Sequence, residues 1–569
     1  MGQFMIMPKL DMSMEEGKLL KWMCKEGDRI EKGDPVFEVE TGKVNLEVEA
    51  IVEGSILKIY RNEGEVVDVN DPIAFIGQEG EEIPPLDNNA ENEVHKEEPK
   101  DIEENRINEE ASSNQYDLCV IGAGPGGYVA TIRAAQLGAK VVVVEKEKLG
   151  GTCLNWGCIP TKALVYHADV WNKIKNAENY GFSTKDSSFD WGKIISRKDK
   201  AVSTLVDGVN KLFIKNKIKL IKGTAEILDK NKIRINTGAK EDIISTKNII
   251  IATGTESSTV NIPTQGNVKL KDVKEILDLQ SLPKKLCIIG GGVIGVEIAS
   301  IFSTFGVEVS IVEMMPKLIP MMDNEVIDVL KQEFKGKGIN IYTETTVEKI
   351  VENNKAYRID LSNGKTIDSD EILVAIGRKP NNELFKNINI RTDKKGYIEV
   401  DNKLKTNIEN IYAIGDITNK LQLAHVASHQ GIVAVENMFG EEKEMKYDIV
   451  PNCIFTDPEI ASVGITEEEA KNRKLPYKAF KFPFMALGKA VASDDTRGFI
   501  KIIADERWGE IIGAHIIGPD AAHLIAEVVA VMELEGTVYE LADTIHAHPT
   551  LSEGIMEASA GILDKVIHI

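Results

Sequence analysis

Cys153 and Cys158 stand five positions apart in the segment Gly150-Gly151-Thr152-Cys153-Leu154-Asn155-Trp156-Gly157-Cys158-Ile159-Pro160. Two thiols at that spacing can form a redox dithiol or half of a zinc site. Zinc needs further ligands, and the other cysteines, Cys24, Cys119, Cys287 and Cys453, are scattered, so no metal site is expected. Residues i and i+5 do not face each other on an ideal helix, so a bridge between them requires a distorted first turn. Gly157 and Pro160 permit one, and inert core cysteines remain the alternative. A second chemical cluster, His546-Ala547-His548-Pro549-Thr550-Leu551-Ser552-Glu553, lies near the C-terminus. A neutral imidazole held by a carboxylate is a general base near pH 7. Thr550 and Glu553 also spell a T-x-x-E capping box, and spacing alone favours that structural reading.

Such groups need elements to hold them, and the sequence supplies a repeated one. Tyr116–Gly122 is a continuous apolar strand ending in glycine, followed by a helical run to Gly138 and a strand Val141–Val144. The same order recurs at Leu286–Gly290, through Phe305, to Val309–Val312. This is βαβ twice, the mark of an α/β protein with two nucleotide-binding domains. Gly122-Ala123-Gly124-Pro125-Gly126-Gly127 and Gly290-Gly291-Gly292-Val293-Ile294-Gly295 each join the strand to the helix. Their glycines allow a tight turn and bring backbone N–H groups close to a pyrophosphate at a helix N-terminus. Glu145 and Glu313 each lie 23 residues after the first glycine, where a carboxylate bonds ribose hydroxyls. At Glu313 the acid favours NAD over NADP, whose 2′-phosphate wants an arginine. Packing glycines without a ligand are the competing reading. Cys119 and Cys287 occupy equivalent places in the two first strands, where a small buried hydrophobe fits.

The chain has 569 residues, a net charge of −22, 43% hydrophobic and 28% charged residues. That is an ordinary globular composition, and it argues against a broad nucleic-acid or anionic-membrane surface. No apolar run is long enough for a membrane span. The start MGQFMIMPKL lacks signal-peptide and myristoylation features, and six cysteines do not make a secreted disulfide framework, so a cytoplasmic multidomain protein is expected. Residues 78–114 carry thirteen acidic against three basic residues, with Pro84, Pro85 and Pro99 and no aromatic. This reads as a self-repelling linker. Before it, residues 1–77 read as short strands between turn signals. Glu26-Gly27-Asp28-Arg29-Ile30 is echoed by Glu63-Gly64-Glu65-Val66-Val67, which predicts a pseudo-symmetric two-sheet sandwich.

With those residues in view, 115–569 resembles the pyridine nucleotide–disulfide oxidoreductase family of flavoproteins. The resemblance is carried by Gly122–Gly127, Gly150–Lys162, Ala252-Thr253-Gly254, Gly290–Gly295, Ala375-Ile376-Gly377-Arg378, Gly415-Asp416 and His548–Glu553, in the family's order. It implies a Cys153–Cys158 redox disulfide. It implies FAD on Gly122, Gly124, Gly126, Gly127, Glu145, Gly151, Thr152, Lys162, Ala225, Thr253, Gly254, Asp416 and Ala424. Glu145 would hold the adenosine ribose, Asp416 the ribityl chain, and Lys162, paired with Glu297, the flavin N5. It implies NAD on Gly290, Gly292, Val293, Ile294, Gly295, Glu297, Glu313, Ala375, Gly377 and Arg378. His548 and Glu553 become a catalytic dyad reaching the partner subunit's flavin in a homodimer, which overturns the preference for the cap. The N-terminal region resembles lipoyl domains, with Lys43 at a hairpin tip in Glu40-Thr41-Gly42-Lys43-Val44. The usual pattern has Asp before and Ala after the lysine, where Gly42 and Val44 stand here. The methionines that flank a biotinyl lysine are missing.

The expected architecture is a lipoyl-type β-sandwich (1–77), linker (78–114), FAD domain (115–258), NAD domain (259–384), central domain completing the FAD site (385–450) and α+β dimerisation domain (451–569). The resemblance implies oxidation of protein-bound dihydrolipoamide with reduction of NAD⁺, with Cys153 as the interchange thiol and Cys158 against the flavin. The expected partners are the acyltransferase (E2) core and lipoyl domains of a 2-oxo acid or acetoin dehydrogenase complex, or a glycine cleavage system. A sister disulfide reductase is disfavoured by Glu313 and by the lack of any cysteine after Cys453. A lipoyl-bearing scaffold is disfavoured by the complete set of reactive residues.

Overall fold

The structure, a computed structural model, describes residues 3–8, 16–40, 45–50, 52–69, 71–78, 81, 115–354 and 356–569. Lys43 and nearly all of the expected linker lie outside the described residues. The chain divides into two compact units, Met1–Ile102 and Glu103–Ile569.

The N-terminal unit is built from two four-stranded antiparallel sheets, as the turn spacing predicts. One runs Gln3–Ile6, Pro72–Gly77, Gly54–Ile59, Arg29–Ile30; the other runs Asn45–Glu49, Pro35–Glu40, Glu16–Trp22, Val66–Asp68. Leu19, Val36, Phe37, Val39, Ile56 and Ile73 form its dry core. The sequence echo is a physical dyad. The Glu26 carboxylate accepts from Ile59 N and the Glu63 carboxylate accepts from Trp22 N, each at 2.8 Å. Gly27 N donates to Ile56 O while Gly64 N donates to Leu19 O. Strict alternation fails in Pro72–Gly77, where Ile73 to Ile76 are all buried, and again in Pro35–Glu40. Val36 and Phe37 are both buried, because a bulge between Pro35 and Phe37 turns two successive side chains inward.

In the second unit Gln115–Ile121 lies between Val141–Glu145 and Glu241–Ile251, all parallel, with Lys219–Lys222 beyond Val141–Glu145. An antiparallel flap, Thr224–Asp229 and Lys232–Asn236, extends the sheet. All five residues of Val141–Glu145 are buried, the expected state of a parallel strand covered on both faces. The strand Ile411–Ala413 returns to this sheet beside Ile249–Ile251. Between them the chain builds a second parallel sheet in the order Asn340–Tyr342, Glu308–Val312, Lys285–Ile289, Glu371–Val374, with a mainly antiparallel sheet of its own. Helices Pro125–Gln136 and Val293–Thr304 follow the two glycine turns. Cys119 and Cys287 are fully buried in the two equivalent strands, where burial pushes both thiols up. A five-stranded antiparallel sheet (Asn452–Ile454, Glu459–Gly464, Ile511–Gly518, Phe499–Asp505, Tyr477–Pro483) closes the chain. It is packed by helices Ala521–Glu533 and Glu553–Ile562. Among the described residues no helix is long and apolar enough to cross a membrane.

Candidate active site

The thiol segment breaks where its glycine predicts. One short helix, Gly151–Trp156, carries Cys153; a second, Cys158–Lys175, starts on Cys158; Gly157 between them has φ −133° and ψ −111°. A Cβ on Gly157 would come within 2.9 Å of Thr152 O, so the break needs glycine there. Both sulfurs are unbonded. The Cys153 thiol donates to Cys158, which lowers the Cys158 pKa to about 7 against burial and with help from the Lys162 ammonium. That hydrogen bond and burial push Cys153 up. The pair is a dithiol poised with the negative charge on Cys158.

One turn along the same helix, Lys162 Nζ lies 2.9 Å from both oxygens of Glu297. Glu297 is buried on the helix after the second glycine turn, and its Oε1 also accepts from Phe455 N at 2.9 Å. Lys162 Nζ stands 4.3 Å over the Phe455 ring. The carboxylate fixes the half-buried ammonium at the cleft.

That cleft, about 2180 Å³, is lined by both glycine turns, both cysteines, Lys162, Glu297, Ala225, Thr253, Gly254, Ala375, Gly377, Arg378, Asp416 and Ala424. Its shape at the turns fits two dinucleotides. Helices Pro125–Gln136 and Val293–Thr304 open on Gly124 and Gly292 with no side-chain cap, so their first N–H groups are free for a phosphate. A Cβ on Gly292 would meet nothing within 4 Å, and one on Gly124 only Gly151 Cα at 4.0 Å. Packing also demands glycine at two further positions: a Cβ would lie 1.9 Å from Gly122 O at Gly127 and 2.1 Å from Gly290 O at Gly295.

The two acids act identically. Glu145 accepts from Ala123 N at 2.7 Å and from Glu147 N at 2.8 Å; Glu313 accepts from Gly291 N at 2.6 Å and from Met315 N at 2.7 Å. Each ties the glycine turn to the end of the second strand while bordering the cleft. Asp416, pushed up by burial, accepts from Thr255 Oγ1 at 3.0 Å. Arg378 bonds Thr255 twice, Nε to Oγ1 at 2.7 Å and Nη2 to the carbonyl at 2.6 Å, and so faces the Asp416 side of the cleft.

His548 and Glu553 meet each other but not the cysteines. His548 Nδ1 is 2.8 Å from Glu553 Oε1, and Glu553 Oε2 accepts from Thr550 N at 2.8 Å. Against burial, the Thr550 N–H and His548 hold the Glu553 carboxyl below its usual range. Glu553 thus holds His548 and makes half of the capping box. The other half is missing because Glu553 N donates no bond to Thr550 Oγ1, and the helix Glu553–Ile562 follows Ser552 without a side-chain cap. His548 is 76% exposed and does not line the cleft.

Several site groups have no local signature. Phe455 is 158 residues from the carboxylate it bonds. Gln430, fully buried, accepts from Gly415 N at 2.6 Å and donates to Tyr447 Oη at 2.9 Å, fixing the turn that carries Asp416. Trp156 lies under the ammonium of Lys274 at 4.1 Å. The turn Gly415-Asp416 was the single cue that pointed near Gln430.

Residues 116–431 match the model of the pyridine nucleotide-disulphide oxidoreductase family, 450–559 match the dimerisation domain of that family, and 3–76 match a model described as biotin-requiring enzyme. Among solved structures the chain is similar to the HOCl-induced flavoprotein disulfide reductase RclA of Escherichia coli, with TM-score 0.71 and 29% identity over 78% of this chain and 99% of that one. The chain belongs to the pyridine nucleotide–disulfide oxidoreductase family. Its relatives include the dihydrolipoyl dehydrogenases of Chlamydia trachomatis, 41% identical over 458 residues, and of Geobacillus stearothermophilus, 41% over 461. In both cases 80% of this chain and 98% of the relative are covered. Dihydrolipoyl dehydrogenases use FAD and NAD.

Proposed function

We propose that this chain oxidises protein-bound dihydrolipoamide to lipoamide and reduces NAD⁺ to NADH. The observation that carries the reading is the unequal thiol pair, Cys158 held at about 7 and Cys153 far above it, set in one cleft between two nucleotide-fitting glycine turns. FAD fits Gly122, Gly124, Gly126, Gly127, Glu145, Gly151, Thr152, Lys162, Ala225, Thr253, Gly254, Asp416 and Ala424. NAD fits Gly290, Gly292, Val293, Ile294, Glu297, Glu313, Ala375, Gly377 and Arg378, whereas Gly295, which does not line the cleft, packs its helix against the turn.

The residues divide the work. With Nδ1–H donated to Glu553, His548 Nε2 takes the proton of one substrate thiol. The resulting thiolate attacks Cys153 in the Cys153–Cys158 disulfide, and Cys158 leaves as the thiolate that its surroundings favour. The second substrate thiol attacks the mixed disulfide at the substrate sulfur, its proton passing to the departing Cys153 sulfur, so that the lipoyl ring closes and Cys153 is released as the thiol. Two electrons then rest on the protein dithiol. Bound FAD supplies the route for that electron pair to NAD⁺. Lys162 and Glu297 keep a fixed charge beside it.

The exposure of His548 supports a homodimer in which the His548–Glu553 pair faces the cleft of the second copy. The match to the dimerisation domain points the same way. The domains run 1–77, 78–114, 115–258, 259–384, 385–450 and 451–569. Lys43 carries a lipoyl group, the chain serves a 2-oxo acid or acetoin dehydrogenase complex or glycine cleavage through an acyltransferase core, and it works in the cytoplasm.

A steady-state assay of NAD⁺ reduction by dihydrolipoamide tests the reading. The purified protein turns over, Cys153→Ser abolishes turnover, and intact mass shows one lipoyl group that Lys43→Ala removes. A protein with its flavin but no turnover on dihydrolipoamide would overturn it.

A further inference from the structure

The loop that presents His548 has little backbone support. Among the described residues no backbone–backbone hydrogen bond is made by the N–H groups of Ile545 to His548, Pro549 has no N–H to give, and Ile545 is 96% exposed. The loop is fastened by side chains. Thr550 Oγ1 donates to Ala547 O at 2.7 Å, within the loop itself. Besides the His548–Glu553 bond, only His546 among residues 545–549 reaches another element by a hydrogen bond. Its Nε2 lies 2.6 Å from Glu527 Oε1 on the helix Ala521–Glu533, and its Nδ1 lies 2.9 Å from Thr544 O. Both partners are oxygens that accept from an imidazole N–H. The His546 side chain is 6% exposed, in contrast with 76% at His548. The two histidines are two positions apart with opposite fates: one is sunk into the fold and the other is held out of it.

The same helix joins the loop to the cleft. Its residues Ala522, Ile525, Ala526, Val529 and Ala530 line the large cleft. Glu527 lines a smaller pocket of about 360 Å³ with Pro549 to Ser552 of the loop, and Lys489, Asp520 and His523 also face that pocket. The charge on His546 also helps to hold the Glu553 carboxyl ionised, behind the Thr550 N–H and His548 itself.

We propose that His546 and Glu527 form a second pair that positions the base: it anchors the loop to the helix that borders the cleft and so sets where His548 stands. This rests on the assignment of His548 as the base that receives the dihydrolipoamide proton. His546 and Glu527 act through His548 and touch no reacting atom.

The test is a double-mutant cycle in the full-length holoenzyme, measured in two assays. The first is NAD⁺ reduction by dihydrolipoamide. The second is NADH oxidation by a dye that takes electrons from the flavin and needs neither the dithiol nor His548. A displacement of about 1 Å at a catalytic group costs on the order of 100-fold. His546→Ala therefore lowers kcat for dihydrolipoamide about 10- to 100-fold with KM within about twofold, and leaves the dye reaction unchanged. Glu527→Ala does the same, the double variant loses no more than either single one, and Glu527→Gln, which still accepts a hydrogen bond, restores most of kcat. The proposal is overturned by a dihydrolipoamide kcat within twofold of wild type in His546→Ala, by multiplicative losses in the double variant, or by equal losses in both assays, which would mark a merely structural role. A wild-type protein without dihydrolipoamide turnover sinks the base assignment instead, a separate and visible failure.

Discussion

Residues that do chemistry by their own proton or sulfur were legible wherever the partner was near in sequence. Cys153 and Cys158 stood out by spacing, and the glycine between them forecast the helix break that the structure contains at Gly157. His548 and Glu553 were visible, but spacing alone preferred a capping box. The structure satisfies half of that box, because Glu553 has two oxygens and spends one on each role. Glu297, Phe455 and Glu527 illustrate the opposite case. Their partners are 135, 158 and 19 residues away, and no local pattern encodes such a meeting. At this scale the account predicts a pH dependence. Cys158 is lowered to about 7, chiefly by the Cys153 hydrogen bond, so its thiolate predominates above that pH and is lost as pH falls through it. The long-wavelength absorption of a thiolate against flavin, in two-electron-reduced protein, should therefore fade with a midpoint near 7. Amplitude that holds steady down to pH 5, or that titrates near 9, would contradict the assignment.

Elements were read well where a backbone constraint left a residue signature. The strand, glycine turn, helix and acid appear twice, and the structure repeats not only the order but the bonds, with Glu145 and Glu313 each fastening two backbone N–H groups. The sequence reading gave those acids to ribose hydroxyls and missed their hold on the turn, because a backbone N–H carries no residue type to see. The bulge at Pro35–Phe37 escaped for a similar reason: Val36 and Phe37 are both apolar, and only the register shift tells that both point inward. The turns yield a selective prediction. Gly295 has a Cβ position 2.1 Å from Gly290 O, so Gly295→Ala forces helix Val293–Thr304 off its strand at a cost of about 1–3 kcal/mol. NAD⁺ binding then weakens, seen as a KM raised about tenfold, while the rate at which dihydrolipoamide reduces the protein stays within twofold. Equal damage to both would mean that the two glycine turns do not serve separate ligands.

At the scale of the whole molecule, the chain binds an electron-transfer cleft, a proton-handling dyad and a lipoyl-type domain into one polypeptide. Composition and charge limited the class, and turn spacing located the β unit, whose dyad the Glu26 and Glu63 bonds make physical. What the sequence left open was how the dyad meets the disulfide, since His548 stands exposed and off the cleft of its own chain; in the proposed homodimer a second copy supplies the geometry that one chain lacks. The central claim is that electrons pass from a dithiol substrate through Cys153 and Cys158 to a flavin and on to NAD⁺. An anaerobic visible titration of the purified protein, first with dihydrolipoamide and then with NADH or NADPH on separate samples, addresses it most directly. The account predicts flavin bands, a long-wavelength band after two electrons from dihydrolipoamide, the same species with NADH, and no response to NADPH at equal concentration. Flavin bands that dihydrolipoamide leaves untouched, or a protein without flavin, would contradict it.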